Sequence, residues 1–385
     1  MYYVTVKQSP IYHQITLDEF LFGDRSKTHV SNIKQTCTRT HAFETIPDKY
    51  LSSVNALRMI NVLKKFTERH SDLYEADRHS LYYEFYIPKK SGGFRKIDAP
   101  NERLKNALYE LKEIFENEFN ADSLYHTSAY AYVKGRSCIE ANDVHINNQS
   151  EWYAKLDLSN FFGSTTKEFV MKQLSMIFPF CEVCKTGSGN SILSKAIDLG
   201  FLDGGLPQGT PISPMITNII MIPIDFTLSN KLRDYDHQRY MYTRYADDFT
   251  ISSKYNFDIN KIIRFLNETF TSFGAPYQMK PEKTRYGSAA GRNWNLGVMI
   301  TKNKDGDIIR TIGSKKKRMF EAQLSSFVLD SIHNTPWDIG EVRVLNGYIN
   351  YYKMVEGEVI NRIISHIGEK YNVNIVSMIE EQLKA

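Results

Sequence analysis

The sequence predicts an α+β fold in which antiparallel hairpins combine with amphipathic helices. Two stretches predict hairpins because strand-forming residues flank a tight turn: residues 82–100 around a Ser-Gly-Gly turn, and residues 240–252 around an Asp-Asp pair. Apolar residues recur at helical spacing in residues 51–66 and 101–119, and again in residues 259–273. The apolar faces of these helices are expected to pack in the core.

The composition is that of a globular protein with a substantial core. The chain has 385 residues, 42% of them hydrophobic, which suffices for two or three domains or one multi-lobed enzyme. No apolar run approaches the ~18 residues of a membrane span, and the first residues lack the apolar core of a signal peptide. We therefore expect a cytoplasmic protein with no membrane partner. The net charge of +4 is too small to argue for nucleic-acid binding by itself, and the four cysteines lack zinc-ribbon spacing.

Several single elements complete the prediction. A strand over residues 152–158 ends at a third aspartate, Asp157, and a polar loop is expected over residues 185–191. Residues 1–45 show no period and are interpreted as an N-terminal extension of unknown role. Helices are expected over about 214–232, from Lys315 onward, and over about 341–355 and 357–370.

The Asp-Asp pair, Asp247 and Asp248, is the strongest chemical signal. Crowded carboxylates repel each other and are costly to desolvate, and a divalent cation removes that cost. Hard oxygen ligands suit Mg²⁺, which usually takes one or two carboxylates plus substrate phosphates. A solvated Asp-Asp turn is the alternative. A metal site needs a third carboxylate from elsewhere in the fold, which Asp157 can supply.

Three stretches, in order, resemble the motifs of the reverse transcriptase family. Tyr245-Ala246-Asp247-Asp248 resembles its catalytic hairpin, Leu206-Pro207-Gln208-Gly209 resembles its Leu-Pro-Gln-Gly motif, and the strand ending at Asp157 resembles the one that carries its first aspartate. The resemblance covers about residues 46–370 and implies a right-hand polymerase fold with fingers, a palm made of a small antiparallel sheet backed by helices, and a helical thumb. The implied division is 1–45 as the extension, 46–152 as fingers, 153–312 as palm with a fingers segment at about 179–214, and 313–385 as thumb.

The resemblance also implies the catalytic centre. Asp157 and Asp247 would bridge two Mg²⁺ ions, Asp248 would assist more peripherally, and the main chain of Leu158 would be a further ligand. Mn²⁺ is an expected substitute. One ion would activate the primer 3′-oxygen and the second would stabilise the leaving group.

The incoming deoxynucleotide would, by the same resemblance, meet the first hairpin. Arg95 would bind the triphosphate, because its planar fork can hold phosphate oxygens bidentately, and Lys89 or Lys90 would assist. Solvated lysines at the tip of an exposed hairpin are the alternative.

Further nucleotide contacts are implied in the palm. A bulky ring at Phe162, five residues after the first aspartate, would clash with a ribose 2′-OH, although a buried pair with Phe161 is the competing interpretation. Gln208 and Gly209 would contact the nucleotide and the template. Lys283 would lie near the leaving pyrophosphate as a general acid, or would simply be a surface lysine.

Two basic segments are candidate nucleic-acid contacts. Lys134 and Arg136 belong to a segment that lies along the template in the family, and simple surface charge is the alternative. Lys315-Lys316-Lys317-Arg318 opens a helix, where cations oppose the helix dipole, so a polyanion such as an RNA–DNA duplex would compensate. The alternative is a solvated charge run.

The implied activity is RNA-directed DNA synthesis. The expected partners are deoxynucleotides, a structured non-coding RNA as template, the DNA product and its RNA–DNA duplex, with an effector protein or self-association as further candidates in bacterial anti-phage defence. Two segments, residues 141–145 and 295–297, depart from the retron pattern, so retrons and other defence-associated reverse transcriptases both stay open. The alternatives are an RNA-binding scaffold or splicing cofactor with the same fold, and untemplated or protein-primed synthesis.

Overall fold

The computed structural model describes the backbone of two N-terminal strands and residues 54–89, 92–291, 293–335 and 337–384. The N-terminal strands, β1 (Tyr3–Gln8) and β2 (Ile11–Thr16), pair antiparallel. The rest of the expected N-terminal extension lies outside the described residues, as does Lys90. No helix in the described ranges is long and apolar enough to cross a membrane.

A hairpin and helices form the next part of the chain, which consists of α1 (Val54–Arg69), α2 (Ser71–Glu75), β3 (Tyr82–Pro88), β4 (Phe94–Pro100), α3 (Glu102–Glu118) and α4 (Ala121–Leu124). Strands β3 and β4 pair along their whole length, which confirms the first predicted hairpin. Asn101 caps α3 by accepting the Leu104 N–H at 2.9 Å.

A four-stranded sheet organises the middle of the chain, which consists of α5 (Cys138–Asn147), β5 (Trp152–Asp157), α6 (Phe161–Ser164), α7 (Lys167–Leu174), α8 (Phe180–Cys184), α9 (Gly187–Asp198), α10 (Ser213–Ile220), α11 (Ile222–Leu232), β6 (Met241–Tyr245), β7 (Asp248–Ser253), α12 (Ile259–Phe273) and β8 (Arg285–Ser288). The sheet is antiparallel throughout, in the order β6-β7-β5-β8. Leu156 and Ile251 belong to the largest apolar cluster, which the helices share. Tyr153 packs in a separate cluster with Ile300 and Ile308.

A second sheet and three helices end the chain: β9 (Asn293–Asn295), β10 (Val298–Lys302), β11 (Ile308–Thr311), α13 (Ser314–Ile332), α14 (Ile339–Tyr371) and α15 (Ile375–Lys384). The helices bury an apolar cluster of their own, joined by Ile139 of α5. The long helix α14 is broken at Glu356, whose φ of −150° is not helical, and this confirms the predicted break between two helices.

The α+β class is confirmed, and two local predictions are wrong. Residues 187–191 are helical rather than a loop, because Thr186 caps α9 by accepting the Gly189 N–H at 3.0 Å and Leu193 and Ile197 are buried. The helix predicted over 214–232 is two helices that meet at Met221. Helices α5 and α15 were not expected. The division into fingers, palm and thumb stays a prediction.

Candidate active site

Three aspartates meet at one end of the four-stranded sheet. In the β5–β7 ladder Asp157 lies directly opposite Asp248. Asp247 occupies the tight turn between β6 and β7, in which Ala246 has a φ of 57°. The Asp247 carbonyl accepts the Leu158 N–H at 3.2 Å. The antiparallel register therefore brings together the carboxylates and the main-chain group that the sequence singled out.

Negative charge is costly in this arrangement. Desolvation, and after it the charge of Asp157, raises the pKa of Asp247. Desolvation and the charges of Asp247 and Asp157 raise the pKa of Asp248 to about 6. Asp157 is instead balanced by two lysines: Lys283 Nζ lies 2.9 Å from Oδ2, and Lys280 Nζ lies 3.2 Å from Oδ1. The adjacent carboxylates of Asp247 and Asp248, rather than Asp157, therefore favour a nearby cation.

A cleft of about 490 Å³ opens at these aspartates. Its walls combine the acidic turn with basic and aromatic side chains from other parts of the chain. The lining residues are Arg95, Tyr132, Asp157, Tyr245, Ala246, Asp247, Asp248, Lys283 and Arg285. The predicted triphosphate-binding arginine of the hairpin β3–β4 thus shares one cleft with the predicted metal ligands.

The Leu-Pro-Gln-Gly loop holds that hairpin in place. The Gln208 carbonyl accepts the Asp98 N–H at 2.8 Å. Gly209 has a φ of 123°, and a Cβ at this position would lie 2.9 Å from the Asp98 carbonyl oxygen and from the Ile97 side chain. Only glycine allows this close approach, so the loop and strand β4 are packed backbone to backbone.

The two phenylalanines after Asp157 have different environments. Phe161 is 3% exposed and belongs to the core, whereas Phe162 is only partly buried. Their ring centroids are 5.5 Å apart. The buried-pair interpretation therefore describes Phe161, and the exposed portion of Phe162 is compatible with the predicted contact to a sugar, which stays a prediction.

Sequence reasoning missed the buried group that supports the Asp247–Asp248 turn. Arg244, on β6, is fully buried and donates from Nε and Nη2 to the Asp225 carboxylate at 2.9 and 2.8 Å. Its Nη1 donates to the Asn218 side chain at 3.2 Å and to the Ala246 carbonyl at 3.3 Å. Tyr242 also donates its hydroxyl to Asp225 at 2.7 Å. No local pattern marks Asp225, because its partners lie far along the chain.

Tyr132 is a second residue that the sequence did not mark. It lies in the left-handed region with a φ of 59°, and it is 62% exposed in the cleft. The segment before it is attached to the sheet, since Tyr130 N–H donates to the Arg244 carbonyl at 2.9 Å. The alternating Ala-Tyr-Ala-Tyr sequence gives no sign of this turn.

The predicted template contacts differ in their surroundings. Lys134 is exposed. Arg136 donates to the carbonyls of His126 and Ala129, both at 2.6 Å, and so holds its own loop together. Lys89 is exposed at the tip of the hairpin β3–β4, where its N–H donates to the Gly93 carbonyl. Their roles toward a nucleic acid or a nucleotide stay predictions.

The four cations at the start of α13 are not equivalent. Lys317 forms an ion pair with Glu356 of α14. Lys316 lies over the Trp294 ring, with its Nζ 4.3 Å from the ring centroid. Lys315 and Arg318 are exposed. The exposed pair is therefore better suited to phosphates than the cluster taken as a whole.

The carboxylates of Asp157, Asp247 and Asp248 are chemically suited to a divalent metal ion, although they do not surround a common point. Carboxylate oxygens are the ligands that Mg²⁺ prefers. The buried Oδ1 of Asp157 has no hydrogen-bond partner, because its contact with Lys280 is an ion pair without hydrogen-bond geometry. Within the described ranges, no three carboxylate, imidazole or thiol groups are arranged to hold a metal ion. The carboxylates of Asp157, Asp247 and Asp248 fit a divalent metal ion, which would take the place of the lysine ammonium groups at Asp157.

Residues 87–315 match the protein family described as "Reverse transcriptase (RNA-dependent DNA polymerase)". The Retron Ec73 reverse transcriptase of Escherichia coli is 28% identical over 275 residues, which are 70% of this chain and 82% of that protein. The Retron Ec83 reverse transcriptase of the same organism is 26% identical over 312 residues, which are 77% of this chain and 91% of that protein.

Among solved structures, telomerases show a distant likeness to this chain. Apo telomerase from Candida tropicalis is 15% identical with a TM-score of 0.42, and the match covers 78% of this chain and 61% of the telomerase chain. At this TM-score the likeness carries no argument about the site.

Proposed function

The chain belongs to the reverse transcriptase family, and on this premise we propose that it copies a dedicated structured non-coding RNA into DNA at the site of Asp157, Asp247 and Asp248. It is an RNA-directed DNA polymerase of the retron type, with the right-hand polymerase fold, and its partners include an RNA template and a DNA product. The proposal concerns the residues, the metal ions and the identity of the template.

One observation carries the assignment of the site. The β5–β7 register sets Asp157 opposite Asp248, beside Asp247 in the turn, and Arg95 lines the same cleft. Carboxylates suit divalent cations, and an arginine fork suits a triphosphate. The cleft therefore offers both halves of a site for a metal-bound nucleotide.

The reaction is nucleotidyl transfer. The primer 3′-oxygen attacks the α-phosphate, the bond to the bridging oxygen of the β-phosphate breaks, and pyrophosphate leaves. Two divalent ions, when held by Asp157, Asp247 and Asp248, supply activation of the attacking oxygen and neutralisation of the leaving charge. Arg95 orients the triphosphate, and Lys283 Nζ donates a proton to the departing pyrophosphate. Phe162 excludes a ribose 2′-OH.

Charge-removing variants of the aspartates test this assignment. We expect Asp157→Asn and Asp247→Asn each to lower deoxynucleotide incorporation on a primed RNA template by about a thousandfold or more, because metal ions supply several kcal/mol of transition-state stabilisation. Asp236→Asn, at an exposed ion pair with Lys261, is the matched control. Near wild-type rates in the two active-site variants would refute the metal site.

The template is proposed from the retron reverse transcriptases to which the chain is similar. We expect the purified protein to carry one dominant structured RNA and a DNA complementary to part of it, as part of an anti-phage defence system that includes an effector. Sequencing the co-purified nucleic acid checks this. A random collection of cellular RNA with no DNA product would contradict it.

A further inference from the structure

Lys280 is the less exposed member of the lysine pair at Asp157. Its side chain is 27% exposed, against 49% for Lys283, and it approaches the Oδ1 atom that has no hydrogen-bond partner. In the described part of the chain, Asp157 is the only one of the three active-site aspartates that has an ion pair.

The backbone fixes this lysine beside the aspartate. The Lys280 N–H donates to the Asp157 carbonyl at 2.8 Å, and the Ser159 N–H donates to the Gln278 carbonyl at 2.7 Å. Leu158 and Met279 form an antiparallel bridge between these two bonds. Residues 278–280 thus extend the sheet along the strand that carries Asp157, and the position of Lys280 is set by that ladder.

An ammonium group held there has a direct effect on metal binding. A divalent ion bound to Asp157 would lie within a few ångströms of the Lys280 ammonium, whose Nζ is 3.2 Å from Oδ1, and two cations at so short a distance repel each other. The lysine must turn away before the carboxylate can accept a metal.

We propose that Lys280 is a built-in counter-cation that occupies Asp157 in the nucleotide-free enzyme and competes with the divalent metal for it. The inference rests on the proposed function, since it takes Asp157 as a metal ligand. Lys280 stabilises the free enzyme and weakens its affinity for metal. Lys283, whose Nζ lies 2.9 Å from Oδ2, holds the other oxygen of the carboxylate and has its own role at the pyrophosphate.

Binding of Mn²⁺ to the full-length protein, without nucleotide or nucleic acid, tests the proposal. The signal of free Mn²⁺ in electron paramagnetic resonance gives the dissociation constant for wild type, Lys280→Gln, Lys280→Arg and Asp157→Asn. We expect Lys280→Gln to bind Mn²⁺ more tightly, on the order of tenfold. Lys280→Arg keeps the charge and should stay close to wild type. Lys261→Gln, which removes an exposed lysine from a different ion pair, is the control.

Thermal unfolding in the presence of Mn²⁺ separates competition with a metal from a purely structural ion pair, because only competition makes the effect of Lys280→Gln on the melting temperature depend on Mn²⁺. Lys280→Gln should melt at a lower temperature than wild type without metal, and the gap should shrink as Mn²⁺ is added, because tighter binding stabilises the variant more. An unchanged or weaker Mn²⁺ affinity in Lys280→Gln, or a gap that stays constant with Mn²⁺, overturns the proposal. If wild type and Asp157→Asn bind Mn²⁺ equally, the metal site itself fails, and this inference fails with it.

Discussion

The Arg244 guanidinium lies against the Asp225 carboxylate, with both side chains completely buried and with separations of 2.9 Å from Nε to Oδ1 and 2.8 Å from Nη2 to Oδ2. The same guanidinium donates to the Ala246 carbonyl, one residue before Asp247. A buried ion pair that is fully hydrogen-bonded fixes geometry more than it adds stability. Here the fixed geometry is that of the turn that carries Asp247 and Asp248.

Removing one partner of this pair should unfold the turn and destabilise the protein. Asp225→Ala leaves an uncompensated guanidinium and should cost about 3–5 kcal/mol in the free energy of unfolding. Urea denaturation measures it. Asp236→Asn, which breaks an exposed ion pair with Lys261 and tolerates the left-handed backbone at this residue (φ 54°), should leave the urea midpoint almost unchanged. Equal midpoints for the two variants would contradict the role of Asp225.

The buried side chain of His145 should make the folding stability of the protein sensitive to acid. Its Nδ1 lies 2.6 Å from Ser252 Oγ and its Nε2 lies 2.8 Å from Thr243 Oγ1, and burial lowers its pKa to about 3. The unfolded chain takes up this proton below about 6.5 and the folded protein does not, so stability is complete above pH 6.5 and falls as the pH drops toward 3. The loss is about 1.4 kcal/mol per pH unit for one such group.

Urea midpoints between pH 7.5 and pH 5 check this slope. His145→Gln should unfold more easily at neutral pH but lose less stability on acidification, because the titrating group is gone. Burial also lowers the pKa of His126, to about 4, so part of the slope should persist. His237→Gln, at an exposed histidine, is the control. Parallel pH profiles for wild type and His145→Gln would exclude His145 as a source.

Phe162 should set sugar selectivity. Phe162→Ala should raise ribonucleotide incorporation relative to deoxynucleotide incorporation by about 10–100-fold, since a steric clash is removed. Phe162→Tyr keeps the ring and should keep the exclusion. Phe161→Ala should instead destabilise the fold by about 3–5 kcal/mol, because that ring is in the core. A wild-type enzyme that already incorporates ribonucleotides and deoxynucleotides equally would refute the proposed exclusion by Phe162.

The exposed cations of α13 should bind phosphates. Lys315→Gln and Arg318→Gln should each flatten the slope of log K against log salt for an RNA–DNA duplex by roughly 0.7–0.9. The affinity should fall similarly for unrelated sequences, because phosphate contacts carry little direct sequence information. Lys254→Gln, at an exposed lysine at the far end of β7, should not change the slope. An unchanged slope in the α13 variants would mean that these residues only face solvent.

Local signals explain what the sequence predicted well. The Asp-Asp turn between two strand-forming runs gave the β6–β7 hairpin, and the Ser-Gly-Gly turn gave the β3–β4 hairpin. The prediction of a loop over residues 185–191 was wrong because it gave weight to the glycines there. The Thr186 cap and the buried residues Leu193 and Ile197 stabilise a helix instead. Turn chemistry and caps act over a few residues, so a single sequence displays them.

Long-range partners could not be predicted in the same way. Asp225 and Arg244 are 19 positions apart, and Lys283 reaches Asp157 across 126 positions. Such contacts depend on how strands are ordered in the sheet, which no local pattern specifies. The three aspartates were found because the family resemblance supplied their roles. Lys280 was missed because nothing in its neighbourhood distinguishes it from a surface lysine.

The break in α14 has a consequence for engineering. At Glu356, one carboxylate accepts the Thr311 hydroxyl at 2.7 Å and the Ile312 N–H at 3.1 Å, and it also pairs with Lys317. One carboxylate at the bend of α14 therefore holds both the end of strand β11 and the first turn of α13. A chimaera joined after residue 313 would inherit the acceptor without two of its donors. An exchange of the C-terminal helices between relatives has to carry residues 311–317 and Glu356 as one unit.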